Sequence, residues 1–272
     1  MSKWVKTPKG YLVSVMLVCL FSAAFFLQDI KGIEHAGVAV ATAVATDLLF
    51  VLFQKRKRKL PDGAIITGLL IALILSSTTS WTIVAATSVI AILSKKWLVI
   101  NKKPIFNPAA FGLLASVIIF HTGQSWWGSF ADLSSWLLVL LGIGGYVITD
   151  RVNKFPQVFS YLAIYLGCLL IFGYFHIGDA VDALRAPFIQ AALFFAFFML
   201  TDPPTSPAKT KDQIIFGMIT ALVGAMIYAI FGGLMYLFIG LLVGNGYFYL
   251  KSKVRLHSNI GNNVKGRGSL QG

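Results

Sequence analysis

The 272-residue sequence contains few of the residues that build metal and catalytic sites. It has two cysteines, four histidines and a single glutamate, and only 12% of its residues are charged. Two cysteines are too few for a disulfide framework or for a self-contained iron–sulfur cluster, which takes four Cys ligands. The four histidines are scattered, and no two have the spacing of metal ligands on one helix. We therefore expect no metal site built by this chain alone.

Short motifs of hydrolytic and nucleotide-hydrolysing enzymes are also missing. The sequence has no G-x-x-x-x-G-K-[ST] phosphate loop, no G-x-S-x-G nucleophile turn and no H-E-x-x-H zinc motif. A hydrolase or an NTPase is therefore unsupported, and no catalytic residue is predicted.

Apolar residues are abundant instead, at 57% of the chain, and the mean hydropathy is +0.78. Soluble domains are about 45–50% apolar and about 25% charged, so this composition indicates a polytopic membrane protein. The first apolar segment is long for a signal peptide and no A-x-A-like cleavage site follows it, so we interpret it as a retained span. Ten apolar segments cover residues 10–27, 36–53, 64–75, 81–93, 108–120, 134–148, 157–175, 188–200, 214–231 and 234–250.

The 23 basic residues exceed the 10 acidic ones and give a net charge of +13. If ten spans cross the bilayer with the N-terminus inside, all the basic residues except Lys31 and Arg185 fall in inside segments. Lys and Arg collect on the cytoplasmic side of membrane proteins, so the charge predicts topology and not a nucleic-acid partner. We expect a multi-pass membrane protein with both termini in the cytoplasm.

Ten spans divide into two groups of five, and an odd number of spans inverts the second group relative to the first. The third span of each group follows a proline, Pro61 or Pro187, and is short. This pattern is typical of inverted-repeat transporters with discontinuous helices. The prediction is an all-α fold in which residues 1–250 form one membrane domain, with repeats at 10–121 and 134–250. Residues 251–272 are expected to form a flexible cytoplasmic tail.

Three polar segments on the cytoplasmic side of this topology are candidates for a binding site. In the first, Asp62, Gly63 and Thr67 begin a short helix, where they could attract an anion or simply cap the helix. In the second, Asn107 precedes Pro108 at a helix start. The Asn107 amide could bind a planar polar ligand or could only cap the helix.

The third segment is the string LTDPPTSP at 200–207. Three prolines in five residues exclude a helix interior. Its polar residues Asp202 and Thr205, together with Pro203, are therefore predicted to face a ligand or a partner.

Asp47 is the one acidic residue inside a predicted span. An ionisable residue within a span usually faces the protein interior or water and marks an ion or substrate path. Two interpretations remain open: Asp47 belongs to an ion path, or it makes a polar contact near the inner interface.

At the three polar segments the chain resembles a known family. The Asp-Gly start at 62–68, FNPAAFGLL at 106–114 and FFMLTDPPTSP at 197–207 occur in that family's order. It is the RnfD/NqrB family, whose members are membrane components of Rnf-type electron-transport complexes and of sodium-pumping NADH:quinone reductases. The resemblance, over roughly residues 40–250, implies a ten-helix, urea-transporter-like fold. It also implies flavin binding and electron transfer coupled to sodium or proton movement, in a complex with other membrane proteins of the bacterial inner membrane.

One family feature is missing from this sequence. Family members carry a Ser-Gly-Ala-Thr type motif outside the membrane, after the fifth span, for covalent attachment of FMN. Here the loop at 121–132 reads HTGQSWWGSFAD. Covalent FMN is therefore not expected, and a flavin would be bound non-covalently, as FMN or riboflavin. Trp126 and Trp127 in this loop are interpreted as anchors at the membrane interface.

The sequence therefore predicts a membrane subunit of an ion-translocating oxidoreductase that is not catalytic alone. The alternative is a transporter or channel for a small solute or a flavin, on the same inverted-repeat fold but without redox activity.

Overall fold

The computed structural model describes residues 4–54, 60–100, 103–130, 133, 137–177 and 182–268, with side chains described as far as residue 253. The basic run at 55–59 and the predicted start of the sixth apolar segment at 134 lie outside this part of the chain, as do residues 269–272.

Each of the ten predicted apolar segments contains an α-helix. A two-stranded antiparallel ribbon follows the fourth of these helices, with strands β1 (Val99–Ile100) and β2 (Lys103–Pro104). The helix bounds are α1 (Pro8–Leu27), α2 (Ile30–Phe53), α3 (Asp62–Ile74), α4 (Trp81–Trp97), α5 (Pro108–Phe120), α6 (Leu138–Val152), α7 (Phe155–Tyr174), α8 (Ala186–Phe194), α9 (Thr210–Phe231) and α10 (Met235–Gly268).

Four helices, α1, α2, α7 and α9, are long and apolar enough to cross a membrane. Three apolar helices are shorter: α3, α5, and α8 together with the π-helical turn Phe195–Met199 that extends it. The chain is therefore an all-α protein with the composition of a multi-pass membrane protein.

Two helix ends lie furthest from the predicted segments. Helix α2 begins at Ile30, six residues before the predicted segment, because Asp29 caps it by accepting a hydrogen bond from the Lys31 backbone N–H at 3.0 Å. Helix α10 continues past residue 250 to Gly268, so the segment expected to be a flexible tail is helical up to that point. No proline interrupts this stretch, and its Lys, Arg and Leu residues favour helix.

Short helix α3 ends inside the protein, and the loop at 122–130 satisfies its last carbonyl groups. The backbone N–H groups of Ser125 and Trp126 donate to the Ile74 carbonyl at 3.0 and 3.1 Å. The indole Nε1 of Trp127 donates to the Ala72 carbonyl at 2.7 Å. Within a bilayer each unpaired backbone group costs several kcal/mol, so these bonds allow the helix to stop short.

Close helix packing builds the first half of the bundle. A Cβ on Gly68 of α3 would lie 2.7 Å from the Val40 Cα of α2, so only glycine permits this approach. The buried core then extends through both halves and includes the large side chains Trp126, Tyr165 and Phe238.

Candidate functional site

Lysines at helix ends and on β2 lie at one end of the bundle, which we call the lysine-rich end. It is defined by Lys9, Lys95, Lys96, Lys103 and Lys154, and two cavities open there. The α3–α5 cavity has a volume of about 610 Å³ and is lined by the starts of α1, α3 and α5. The α9–α10 cavity, of about 790 Å³, lies on the other side of the 203–204 segment and β2, which line both cavities.

Most of the site residues predicted from the sequence line the α3–α5 cavity. Two do not: Asp62 accepts a hydrogen bond from Trp4 Nε1 at 3.0 Å, and Thr205 lines the α9–α10 cavity. The predicted residues in the α3–α5 cavity are Asp47, Gly63, Thr67, Asn107, Pro108, Asp202 and Pro203. Three segments that are far apart in the sequence therefore meet at one site.

Asn107 connects the two halves of the chain. Its Oδ1 caps α5 by accepting from the Ala110 N–H at 3.1 Å, and its Nδ2 donates to the Met199 carbonyl at 3.2 Å. Its backbone N–H donates to Asn245 Oδ1 at 3.0 Å, and Asn245 Nδ2 donates to the Thr205 carbonyl at the same distance. The Asn107 side chain is thus used for capping and for helix packing, which is the capping interpretation left open by the sequence.

Asp202 lines the α3–α5 cavity. Its Oδ2 accepts from the Thr205 hydroxyl at 2.8 Å. Burial raises the pKa of the Asp202 carboxyl above its usual range, although the Thr205 bond and the nearby Lys95 ammonium oppose this shift. Thr205 therefore holds Asp202 in place and does not face the α3–α5 cavity itself.

Lys95 extends from the end of α4 to the start of α3. Its Nζ occupies the space that a Cβ on Gly63 would fill, so the missing side chain of Gly63 leaves room for the ammonium. Helix α3 begins there without a side-chain cap. Among the described residues, Lys95 makes no hydrogen bond or ion pair, and its side chain lines the cavity.

Asp47 and Lys96 form a salt bridge in the wall of the same cavity. The Asp47 Oδ1 lies 2.7 Å from Lys96 Nζ, and the two side chains are 13% and 21% exposed. Lys96 comes from α4, so the ion pair joins α2 to α4. This ion pair is the polar contact that the sequence left as one of two interpretations for Asp47.

The α9–α10 cavity contains a second set of polar groups. Lys154 is 4% exposed and its ammonium donates to the Pro207 carbonyl. Burial lowers the pKa of Lys154 from 10.5 to about 8. Gln213 donates from Nε2 to the carbonyls of Asn153 and Ala208, which ties the start of α9 to the α6–α7 turn.

The Trp126 and Trp127 side chains are buried, so their interpretation as interface anchors is wrong. Trp126 is 0% exposed and stacks on Phe238, with ring centroids 5.5 Å apart. It also meets Phe194 edge to face at 6.2 Å. The loop folds inward because the short α3 leaves both space and free carbonyl groups beyond its last turn.

Three residues with clear structural roles at this end are absent from the sequence-based prediction. They are Lys95, Asn245 and Gln157. The Gln157 side chain donates from Nε2 to the Leu200 carbonyl, just after the π-helical turn that extends α8. Asn245 had a detectable signal, because it is an asparagine inside an otherwise apolar span. Lys95 gave no such signal, since its charge fits the topology pattern like that of its neighbours.

The apolar helices define a multi-pass membrane protein, and two cavities open at one end of its bundle. The sequence profile of the NQR2, RnfD, RnfE family matches the chain over residues 6–136 and 122–245. The chain therefore belongs to the NQR2, RnfD, RnfE family, as the resemblance of its three polar segments indicates. No individual curated protein matches it significantly. Membership supports a membrane subunit of an Rnf/Nqr-type complex.

Proposed function

We propose that the protein is a flavin-binding membrane subunit of an Rnf/Nqr-like electron-transport complex, and that the α3–α5 cavity holds the flavin. The observation that carries this proposal is the convergence of the 62–68, 107–108 and 201–204 segments on one cavity. These are the segments that link the chain to its family.

The size and lining of the cavity suit a flavin. A volume of about 610 Å³ lies within the range of about 300–1,000 Å³ for small-molecule sites. Ile66, Leu70 and Phe198 supply apolar wall, while Lys95 and Asp202 supply a hydrogen-bond donor and an acceptor. A bound flavin would supply the electron-transfer chemistry; the chain's own residues bind it, orient it and keep it from water.

The flavin in this proposal is non-covalent. The loop at 121–130 lacks the Ser-Gly-Ala-Thr type motif. Its one threonine, Thr122, shares a hydrogen bond with Ser116 at 2.9 Å. Residues 126–130 of this loop are buried, and the loop completes the fold around the end of α3.

The membrane domain in this proposal has ten spans in two inverted repeats, with both termini in the cytoplasm of a bacterial cell. Matching helix contacts support the repeats. Helix α1 packs on α3, α2 on α4 and α4 on α5, while α6 packs on α8, α7 on α9 and α9 on α10. In addition, α1 contacts α6 and α5 contacts α10. Each of these pairs joins equivalent helices of the two repeats, as expected beside a pseudo-two-fold axis that exchanges them.

Cation coupling would require partner subunits, because the flavin site of this chain forms only part of an electron path. Asp47 remains the candidate for an ion path, since it lines the α3–α5 cavity as well as pairing with Lys96.

The direct test uses inverted membrane vesicles from a strain that lacks this protein, complemented with the wild type or with Ile66→Trp, which fills the cavity. We expect the wild type to restore electron transfer and sodium or proton uptake, and Ile66→Trp to restore neither. Ile30→Trp, at a residue that is 72% exposed, is the matched control. Full activity of an Ile66→Trp vesicle would contradict the proposal.

The second candidate function is transport of a small solute or a flavin without redox work, which the missing covalent-FMN motif favours. Uptake into liposomes by the purified protein tests it. Because Trp126 packs against both Phe194 and Phe238 and all three side chains are fully buried, passage through the bundle would require these aromatic side chains to move.

A further inference from the structure

The α9–α10 cavity carries an excess of positive charge that the proposed function does not use. Four lysines line it together with one aspartate, Asp212, which pairs with Lys251 at 2.8 Å. Within the described part of the chain, the other three lysines of the cavity have no ion-pair partner: Lys103, Lys154 and Lys209. The cavity is therefore a basic site at the lysine-rich end of the bundle.

Lys154 is the most deeply buried of these lysines, with 4% of its surface exposed. Among the described residues, its ammonium makes one hydrogen bond, which it donates to the Pro207 carbonyl. Asp202 attracts the ammonium from beyond ion-pair distance and lines the other cavity. A carbonyl group does not balance the charge of a buried ammonium, so an anion in the cavity would stabilise it.

Gln213 provides an unpaired acceptor beside this ammonium. It is 3% exposed, and its Nε2 donates to the carbonyls of Asn153 and Ala208 at 3.1 and 3.0 Å. Asn153 directly precedes Lys154. Ala208 directly follows Pro207, which Lys154 contacts, so both side chains join the same two segments. Within the described chain, Gln213 Oε1 is buried without a hydrogen-bond partner, which favours a ligand that carries a donor.

An apolar stripe begins at the same place and continues along α9, which is long and apolar enough to cross a membrane. Exposed apolar residues recur there at every fourth position, with 37–71% of each side chain exposed: Ile214, Met218, Leu222, Met226 and Ile230. Positions four apart are neighbours on a helix surface, so these side chains form one continuous stripe. Ile214 directly follows Gln213. The basic cavity therefore lies at one end of a surface suited to a lipid chain.

We propose that the α9–α10 cavity binds the headgroup of an anionic phospholipid, with the phosphodiester beside Lys154, a headgroup hydroxyl donating to Gln213 Oε1 and an acyl chain along the α9 stripe. The excess of lysines selects an anionic headgroup, and the unpaired acceptor selects a hydroxyl. Basic pockets between helices on the cytoplasmic side are suited to such headgroups. Phosphatidylglycerol has all three parts. The inference does not depend on the flavin.

The test is a titration of the protein, in a neutral detergent, with single lipids, followed by native mass spectrometry. The probes are phosphatidylglycerol, phosphatidylmethanol, which has the same charge but no headgroup hydroxyl, and phosphatidylcholine, whose choline cation the lysines repel. We expect phosphatidylmethanol to bind about tenfold or more tightly than phosphatidylcholine. Phosphatidylglycerol should bind about threefold or more tightly than phosphatidylmethanol, because its hydroxyl adds a hydrogen bond.

Three variants locate the site. Lys154→Met should reduce the affinity for phosphatidylglycerol about tenfold or more. Because Lys154 also holds Pro207, a second variant at an exposed position keeps the test independent of folding. Lys209→Glu reverses a charge in the cavity lining and should weaken phosphatidylglycerol binding about tenfold, with phosphatidylcholine binding unchanged. Lys211→Glu makes the same change at an exposed residue outside both cavities and is the matched control.

Four results would contradict the proposal. Equal binding of phosphatidylglycerol and phosphatidylcholine by the wild type overturns the headgroup site. Equal losses in Lys209→Glu and Lys211→Glu also overturn it, because surface charge alone would then explain the binding. Equal binding of phosphatidylglycerol and phosphatidylmethanol overturns the role of Gln213. If soluble glycerophosphoglycerol binds as tightly as phosphatidylglycerol, the occupant is a soluble phosphodiester and the lipid is overturned.

Discussion

The side chain of Asn245 accepts a hydrogen bond from the backbone N–H of Asn107 at 3.0 Å, across 138 residues of sequence. Both residues are 2% exposed. The same Asn245 side chain donates to the Thr205 carbonyl. One amide on α10 therefore positions both the start of α5 and the proline-rich turn, which are two of the three segments that form the site.

Replacing Asn245 with Ala should destabilise the protein by about 1–3 kcal/mol, because the Asn107 N–H and the Thr205 carbonyl lose a buried partner. It should also weaken flavin binding, since both segments contact the α3–α5 cavity region. The thermal midpoint in detergent and the flavin affinity measure these two effects. Ser252→Ala, an exposed position on the same helix, is the control and should leave both unchanged. An unchanged midpoint in Asn245→Ala would show that the amide does not hold these segments.

The sequence located these segments because proline and asparagine act locally. Pro108 and Asn107 mark a helix start, and the three prolines of 203–207 exclude a helix. It could not show that Asn107 bonds to Asn245, since a contact across 138 residues depends on how the helices pack. For the same reason, it could not show that Asp62 turns toward Trp4 and away from the cavity.

The salt bridge between Asp47 and Lys96 predicts that the two residues are coupled. Asp47→Asn and Lys96→Met should each cost about 1–3 kcal/mol, because each leaves one partly buried charge without its partner. The double variant should cost less than the sum of the two single variants, as measured by a double-mutant cycle of chemical denaturation.

Cation coupling in the double variant separates the two interpretations of Asp47. Recovery in the double variant would identify Asp47 as a structural partner of Lys96, whereas loss in every variant that lacks the carboxylate would identify an ion path. Arg185→Ala breaks an exposed pair with Asp182 and serves as the control for stability. It should change stability by no more than about 0.5 kcal/mol.

The hydroxyl groups of Tyr165 and Tyr236 are hydrogen-bonded to each other inside the bundle, and their rings stack with centroids 5.7 Å apart. Tyr165→Phe or Tyr236→Phe should cost about 1–3 kcal/mol, because the remaining hydroxyl is buried without that partner. The double variant should cost less than the two single variants together. Thermal melts measure the three values, and Tyr174→Phe, at an 80% exposed residue, should melt like the wild type. Strict additivity would contradict a direct hydrogen bond.

Lys154 should make stability increase with pH in the alkaline range. Burial lowers its pKa in the folded protein to about 8, from 10.5. Between these values the unfolded state binds more protons than the folded state, so stability rises as pH rises, by at most about 3 kcal/mol. Denaturation curves recorded across this pH range should show the rise in the wild type but not in Lys154→Met.

Lys209 provides the control for this pH dependence. It is an exposed lysine that lines the same α9–α10 cavity, so Lys209→Met should keep the wild-type profile. A parallel profile in Lys154→Met would show that Lys154 does not titrate in this range.

The 122–130 loop folds inward, so the prediction that its tryptophans lie at the membrane interface is wrong. Two adjacent tryptophans beside an apolar segment are typical of a membrane-interface anchor. Here Trp127 instead donates to the Ala72 carbonyl, because α3 ends early and its carbonyl groups need donors. The short length of α3 is visible in the sequence, but the identity of the loop that completes it is not.

Flavin binding in the α3–α5 cavity is tested most directly by the flavin content of the purified protein, measured from its visible spectrum before and after denaturation and ultrafiltration. We expect stoichiometric oxidised-flavin absorption in the wild type, with all the flavin passing the filter after denaturation, and none in Ile66→Trp. Flavin that stays attached to the denatured chain would contradict non-covalent binding. Absence of flavin from a folded wild-type protein would contradict the flavin site itself.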